Sequence, residues 1–191
     1  VKILVARRAD EIEFAYEKLS ASAALGCDTE TSSLSPRHGK ILSVQFSDGD
    51  FSVLIPMSEG VALGKLAAIL ENPDITKIFH NAKFDLEFLR ESGYQVSNVF
   101  DTMIAEKVLT KGAGQSASLA ETLYRYFAVD LDKSQRAKFN RNWNGVWTQD
   151  LVDYALSDVL YLPELKMQQE LWLERLNLKS DYEKQIAKII V

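Results

Sequence analysis

The chain has 191 residues, 47% hydrophobic and 26% charged, an ordinary globular balance that excludes collagen-like, low-complexity and disordered classes. With 22 Lys and Arg against 27 Asp and Glu, the formal charge is −5, which argues against a broad basic face for nucleic acid. No apolar run approaches the ~18 residues needed to span a bilayer, and the lone Cys27 excludes an internal disulfide, so a reducing, cytoplasmic setting is expected. Residues 2–5 read as a short strand. Asp10 and Glu13 form a capping-box pattern that opens a helix carrying Ile12, Tyr16 and Leu19. Strands follow at 23–28, 41–46 and 51–55, the last two joined by Ser47-Asp48-Gly49-Asp50 in a hairpin.

A helix over 61–70 places Leu63, Leu66, Ala67 and Leu70 on one face and stops before Pro73, and 77–79 is a short strand. The pattern then turns helical. Residues 82–90 form a helix ending near Gly93, 96–100 is a candidate strand, and Asp101 caps a helix reaching Leu109. After the Gly-rich break at 111–116, Ser118 and Glu121 open a helix through Phe127. Thr148 caps a long final helix that Pro163 should kink. Without repeats or long linkers, this order predicts a single α/β domain over 1–191, with a mixed five-stranded sheet flanked by helices. The chain begins at Val1, and helical spacing still runs through Tyr182, Ile186, Ile189 and Ile190. A piece of a longer protein is expected.

Three acidic segments stand out. Asp28 and Glu30 are two apart at the end of the most apolar strand, so both project to one side where α/β folds place their sites. The same spacing recurs at Asp85/Glu87 and Asp181/Glu183, where helical geometry turns the acids apart. Asn81 and Asp85 share a helix face, with an ordinary cap plus a surface acid as the bland alternative. Tyr154 and Asp158 stack on one face of the final helix among Leu151, Val152, Ala155, Val159 and Leu162, which leaves an acid near a buried face in need of a partner. Tyr126 and Asp130 repeat that spacing but run off the end of their helix. Four carboxylates at one place would require cations. An oxygen-only donor set favours Mg²⁺ or Mn²⁺ over zinc.

In their order and spacing, Asp28-Thr29-Glu30-Thr31, Asn81-x-x-x-Asp85 and Tyr154-x-x-x-Asp158 resemble the DEDD superfamily of 3′→5′ exonucleases. The tyrosine resembles the DEDDy branch, which includes the proofreading domain of bacterial DNA polymerase I and ribonuclease D. The histidine branch is excluded because its position is Asp153 here. The likeness covers residues 1–176. The stretch from Asp28 to Leu34 looks most like the polymerase I proofreading domain, and residues 178–191 look like the start of a following polymerase region.

The resemblance implies a ribonuclease H-like fold and two divalent ions, Mg²⁺ or Mn²⁺. Asp28, Glu30 and Asp158 would hold the first, Asp28 would bridge to the second, and Asp85 would hold that one through water. Tyr154 would orient the attacking water. Thr31, Leu34, Asn81 and Phe84 match positions around the terminal nucleotide, Leu34 as a wedge between bases. Core packing is the alternative for Leu34 and Phe84. The implied activity is release of nucleoside 5′-monophosphates from single-stranded DNA 3′ ends, as proofreading for a joined polymerase. The alternatives are a ribonuclease D-like enzyme acting on RNA and a catalytically silent strand-binding domain.

Lys133, Arg136, Lys138 and Arg141 are interleaved with Phe139, Trp143 and Trp147, which suggests either a strand-contacting loop or one pinned to the core by its rings. His38 reads as a surface residue and His80 as a packed one. Setting aside Asp28, Glu30, Asp85 and Asp158 takes the formal charge from −5 to −1. The acidic balance thus belongs largely to the expected metal site.

Overall fold

The computed structural model describes residues 1–132, 134–140 and 142–190; Lys133 and Arg141, and the side chain of Arg136, lie outside the described residues. Six strands form one sheet: β1 (Lys2–Val5), β2 (Ala24–Thr31), β3 (Ile41–Ser47), β4 (Phe51–Ile55), β5 (Thr76–Phe79) and β6 (Val99–Asp101). Their order is β1-β4-β3-β2-β5-β6. The β1/β4, β2/β5 and β5/β6 pairs are parallel, and the β4/β3 and β3/β2 pairs are antiparallel. The sheet is mixed, as expected, with one strand more than the five predicted.

Eight α-helices accompany it among the described residues: α1 (Ala9–Leu19), α2 (Leu66–Glu71), α3 (Ala82–Glu91), α4 (Thr102–Leu109), α5 (Leu119–Phe127), α6 (Gln149–Leu160), α7 (Leu162–Arg175) and α8 (Lys179–Ile186). Three depart from their predicted bounds for local reasons. α1 starts at Ala9 because Glu11, rather than Glu13, turns back to accept the backbone N–H groups of Arg7 and Arg8. α2 is cut short because the chain passes through a left-handed glycine at Gly64, a conformation that a continuing right-handed helix cannot include. The long final helix breaks instead of kinking: Tyr161 ends α6, and Pro163, with no N–H to donate, sits in the first turn of α7.

The sheet is covered on both faces. Leu19, Phe46, Leu66, Phe79 and Phe88 belong to one buried cluster, while Leu54, Ile78, Val159, Leu165 and Leu173 belong to the other. Every residue of β3 is buried, which is why its polar Ser43 and Gln45 do not mark a solvent face. Tyr182 and Ile186 of α8 join the second cluster, so α8 packs on that face of the sheet. Among the described residues, no helix is long and apolar enough to cross a membrane.

Candidate active site

β2 runs on to Thr31, so Asp28 and Glu30 lie on the strand itself and not beyond it. In the antiparallel register Asp28 faces Gln45 and Glu30 faces Ser43, which puts all four on one side of the sheet. α6 crosses that same side. A Cβ built on Gly26 would lie 2.3 Å from the Val159 carbonyl oxygen and 3.1 Å from Leu162 Cβ. The missing side chain therefore lets α6 lie directly on β2, and Asp158 is delivered to the strand end one residue before that contact. The result is a trio: one carboxylate oxygen from each of Asp28, Glu30 and Asp158 lies within 4.8 Å of the other two. At that separation all three oxygens can touch a single hard cation, whose oxygen ligands sit about 2.1 to 2.5 Å away.

Asp85 is not one of the three. It is 2% exposed, and its Oδ1 accepts from the Thr29 backbone N–H at 3.0 Å and the Thr29 hydroxyl at 2.7 Å. β5 pairs with β2 only as far as Gly26, so the Thr29 amide lies past the last paired strand residue and α3 supplies its acceptor. Burial pushes the Asp85 carboxyl up to about 7, with the two Thr29 hydrogen bonds pulling the other way. A cation nearby would favour the ionised form.

The entry to α3 is built from a distance. Asn81 occupies the N-cap position with left-handed φ of 76°, and its own side chain makes no capping bond. The cap is Asp101, whose carboxylate accepts from the backbone N–H groups of Asn81 at 3.2 Å and Ala82 at 2.8 Å. The same carboxylate caps α4 through Met103 and Ile104. The Asp101 N–H in turn donates to the Tyr182 hydroxyl at 2.9 Å. Burial raises the Asp101 carboxyl, and the backbone N–H bonds oppose that shift. The sequence marks Asp101 as the cap of α4 alone; the signal for its second role was a buried strand ending on an acid.

Tyr154 is buried on α6 with its ring 5.9 Å from that of Phe139. Phe139, Trp143 and Trp147 pack onto the second core cluster, which matches the core-pinned alternative for this loop. The Thr31 hydroxyl donates to the Ser33 carbonyl. Leu34 is 82% exposed, so the core-packing alternative fails there. Phe84 is half-buried and 5.0 Å from the Phe88 ring, so packing does account for it. His38 is exposed beside Ser35, and the two ring nitrogens of His80 lie within hydrogen-bond distance of Thr102 Oγ1 and the Ala117 carbonyl. Cys27 is buried, and burial raises its thiol.

A sheet of this kind with three converging acids defines a class, and comparison with known proteins agrees with it. The family described as 3'-5' exonuclease matches residues 5–174, and the chain belongs to it as a DEDD-type exonuclease domain. Ribonuclease D of Haemophilus influenzae is 32% identical over 142 residues, covering 73% of this chain and 34% of that protein. Brucella melitensis NrnC bound to pGG is 32% identical with a TM-score of 0.79, covering 89% of this chain and 82% of that one. Escherichia coli RNase D superposes with a TM-score of 0.84 at 24% identity, a likeness of fold. The chain spans about a third of the length of the ribonuclease D relatives that it matches. These relatives are mostly ribonuclease D and not polymerase I, so the proofreading expectation loses its support while the exonuclease class stands.

Proposed function

We propose that this chain is a metal-dependent exonuclease that trims RNA from its 3′ end, releasing nucleoside 5′-monophosphates. The convergence of Asp28, Glu30 and Asp158 within 4.8 Å carries the reading, because three carboxylates so close repel one another unless a cation joins them. The donor set is all oxygen, which suits Mg²⁺ or Mn²⁺. Asp28, Glu30 and Asp158 would hold one ion, and Asp28 with Asp85 would serve a second. Such ions supply an acidified water and stabilise charge on the leaving oxygen.

The protein's own groups do the rest. Tyr154 orients the attacking water through its hydroxyl. Leu34, exposed just past the acid-bearing strand, meets the terminal bases, and Thr31 and Asn81 border the same pocket. Contacts of this kind read stacking and backbone more than base edges, as an enzyme removing any nucleotide requires.

RNA is preferred over DNA in this reading because the named relatives are mostly ribonuclease D. The test is digestion of 5′-labelled RNA and DNA of one sequence, with pGG alongside, in Mg²⁺. Faster shortening of the RNA is expected. A DNA preference would return the proofreading reading, and strand binding without shortening of any substrate would leave a silent binding domain.

A further inference from the structure

We infer that Phe139 is a positioning residue for Tyr154, and that the loop before α6 exists in part to hold it there. The inference rests on Tyr154 as the group that orients the attacking water. The first side-chain torsion places a tyrosine oxygen, which lies on the axis of the second; the second, broad in energy, turns the ring plane near which the O–H bond lies. Packing against the ring opposes both a swing about the first torsion, which would carry the oxygen away, and a turn about the second, which would re-aim the O–H.

Phe139 packs its ring against Tyr154, at a centroid distance of 5.9 Å and an angle of 34°. Phe139 is itself clamped by Trp143 at 5.6 Å and Trp147 at 5.4 Å, and the two indoles meet edge to face at 5.0 Å. Trp147 is 8% exposed, and its indole N–H donates to Ser58 Oγ at 3.1 Å. Ser58 lies in the 3₁₀ turn Met57–Glu59 that follows β4. An unbroken line of contacts therefore runs from the sheet through Ser58, Trp147 and Phe139 to Tyr154. It passes through residues 128–148, where Arg136–Lys138 is the sole helical turn among the described residues. Offset and tilted ring pairs of this kind have preferred geometry beyond their buried area, so the cluster favours one orientation of the Tyr154 ring.

Phe139 carries no polar atom. It can neither transfer a proton nor bind a metal, so any effect it has on the chemical step must pass through the group it packs against. Misplacing a reacting group by about 1 Å can cost on the order of 100-fold in rate.

The test is a double-mutant cycle on 5′-labelled RNA in Mg²⁺, using wild type, Phe139→Leu, Tyr154→Phe and the double variant. Phe139→Leu is expected to lower kcat by about 10-fold or more with KM unchanged, and Phe139→Tyr, which keeps the ring, should restore it. The double variant should be no slower than Tyr154→Phe alone, since without the hydroxyl there is nothing left to aim. Trp147→Phe, which removes only the indole N–H and part of the ring, runs through the same cycle should Phe139→Leu fail to fold. Wild-type kcat in Phe139→Leu, a raised KM at constant kcat, or losses that multiply in the double variant would each overturn the inference. If Tyr154→Phe is slow and Phe139→Leu is not, this inference alone fails. If Tyr154→Phe matches wild type, the role of Tyr154 fails and this one with it.

Discussion

The Asp101 carboxylate accepts a hydrogen bond from the Ala82 N–H at 2.8 Å, so the last residue of β6 caps the first turn of the helix that carries Asp85. One buried acid thereby serves four backbone donors on two helices. Removing it leaves those donors without their partner, the Ala82 N–H buried and the other three partly buried. Asp101→Ala should cost about 2 kcal/mol or more, read as a lower urea midpoint. It should also slow cleavage, because the start of α3 sets where Asp85 stands. Wild-type stability in the variant would show that water or other groups take over the cap.

The acid trio predicts opposite signs for activity and stability. Asp28→Ala combined with Glu30→Ala should abolish RNA shortening while leaving metal-free thermal stability equal to or above that of wild type, because like charges within 4.8 Å are removed. Mg²⁺ should raise the Tm of the wild type and leave the variant unmoved. Thermal melts with and without Mg²⁺ check both halves. A large loss of metal-free stability would instead mark the two acids as structural.

Gly26 tests how closely α6 must approach. The Cβ of Gly26→Ala would sit 2.3 Å from the Val159 carbonyl oxygen, so strand and helix must separate. Overpacking of this kind costs about 1 to 3 kcal/mol. Because Tyr154 and Asp158 both ride on α6, the expected loss of kcat is on the order of 100-fold. A variant with full activity would mean that α6 can shift without disturbing either residue.

Lys77 predicts a pH dependence away from the site. It is fully buried on β5, with Nζ donating to the carbonyls of Asn72 and Ile75, and burial lowers its ammonium to about 8. In the unfolded chain the same group titrates near 10.4. Between those values the unfolded state binds more protons than the folded one, so this contribution to stability rises with pH. Relative to Lys77→Met, the wild type should gain stability from about pH 8 to about pH 10, measured by urea denaturation at each pH. A constant difference across that range would show that the ammonium is charged equally in both states.

Much of the site was legible because its spacing is local. Asp28 and Glu30 are two apart on a strand, and Tyr154 and Asp158 are four apart on a helix, so each pair is oriented by the geometry of its own element. Leu34 was named by the resemblance with core packing as its alternative, and only the folded segment between β2 and β3, which leaves it 82% exposed, decided against the core. Gly26 read as one more member of an apolar run, since nothing nearby in the chain reveals that Val159 will lie against it. The Asp101 bonds to Asn81 and Ala82 were equally hidden, because the partners stand in different elements.

By itself, the sequence determined the order of strands and helices, the residue types of an oxygen-donor site, and the faces on which those residues stand. These follow from periodicity and capping, which act between neighbours in the chain. Only the tertiary structure decided that Asp28, Glu30 and Asp158 meet while Asp85 stands apart on Thr29. It also decided that Tyr154 is backed by a ring fifteen residues earlier in the chain. The physical reason is that close approach between elements depends on which side chains are absent, as at Gly26, and on which buried donors remain to be met, as at Thr29 and Ala82. Neither is a property of any one segment.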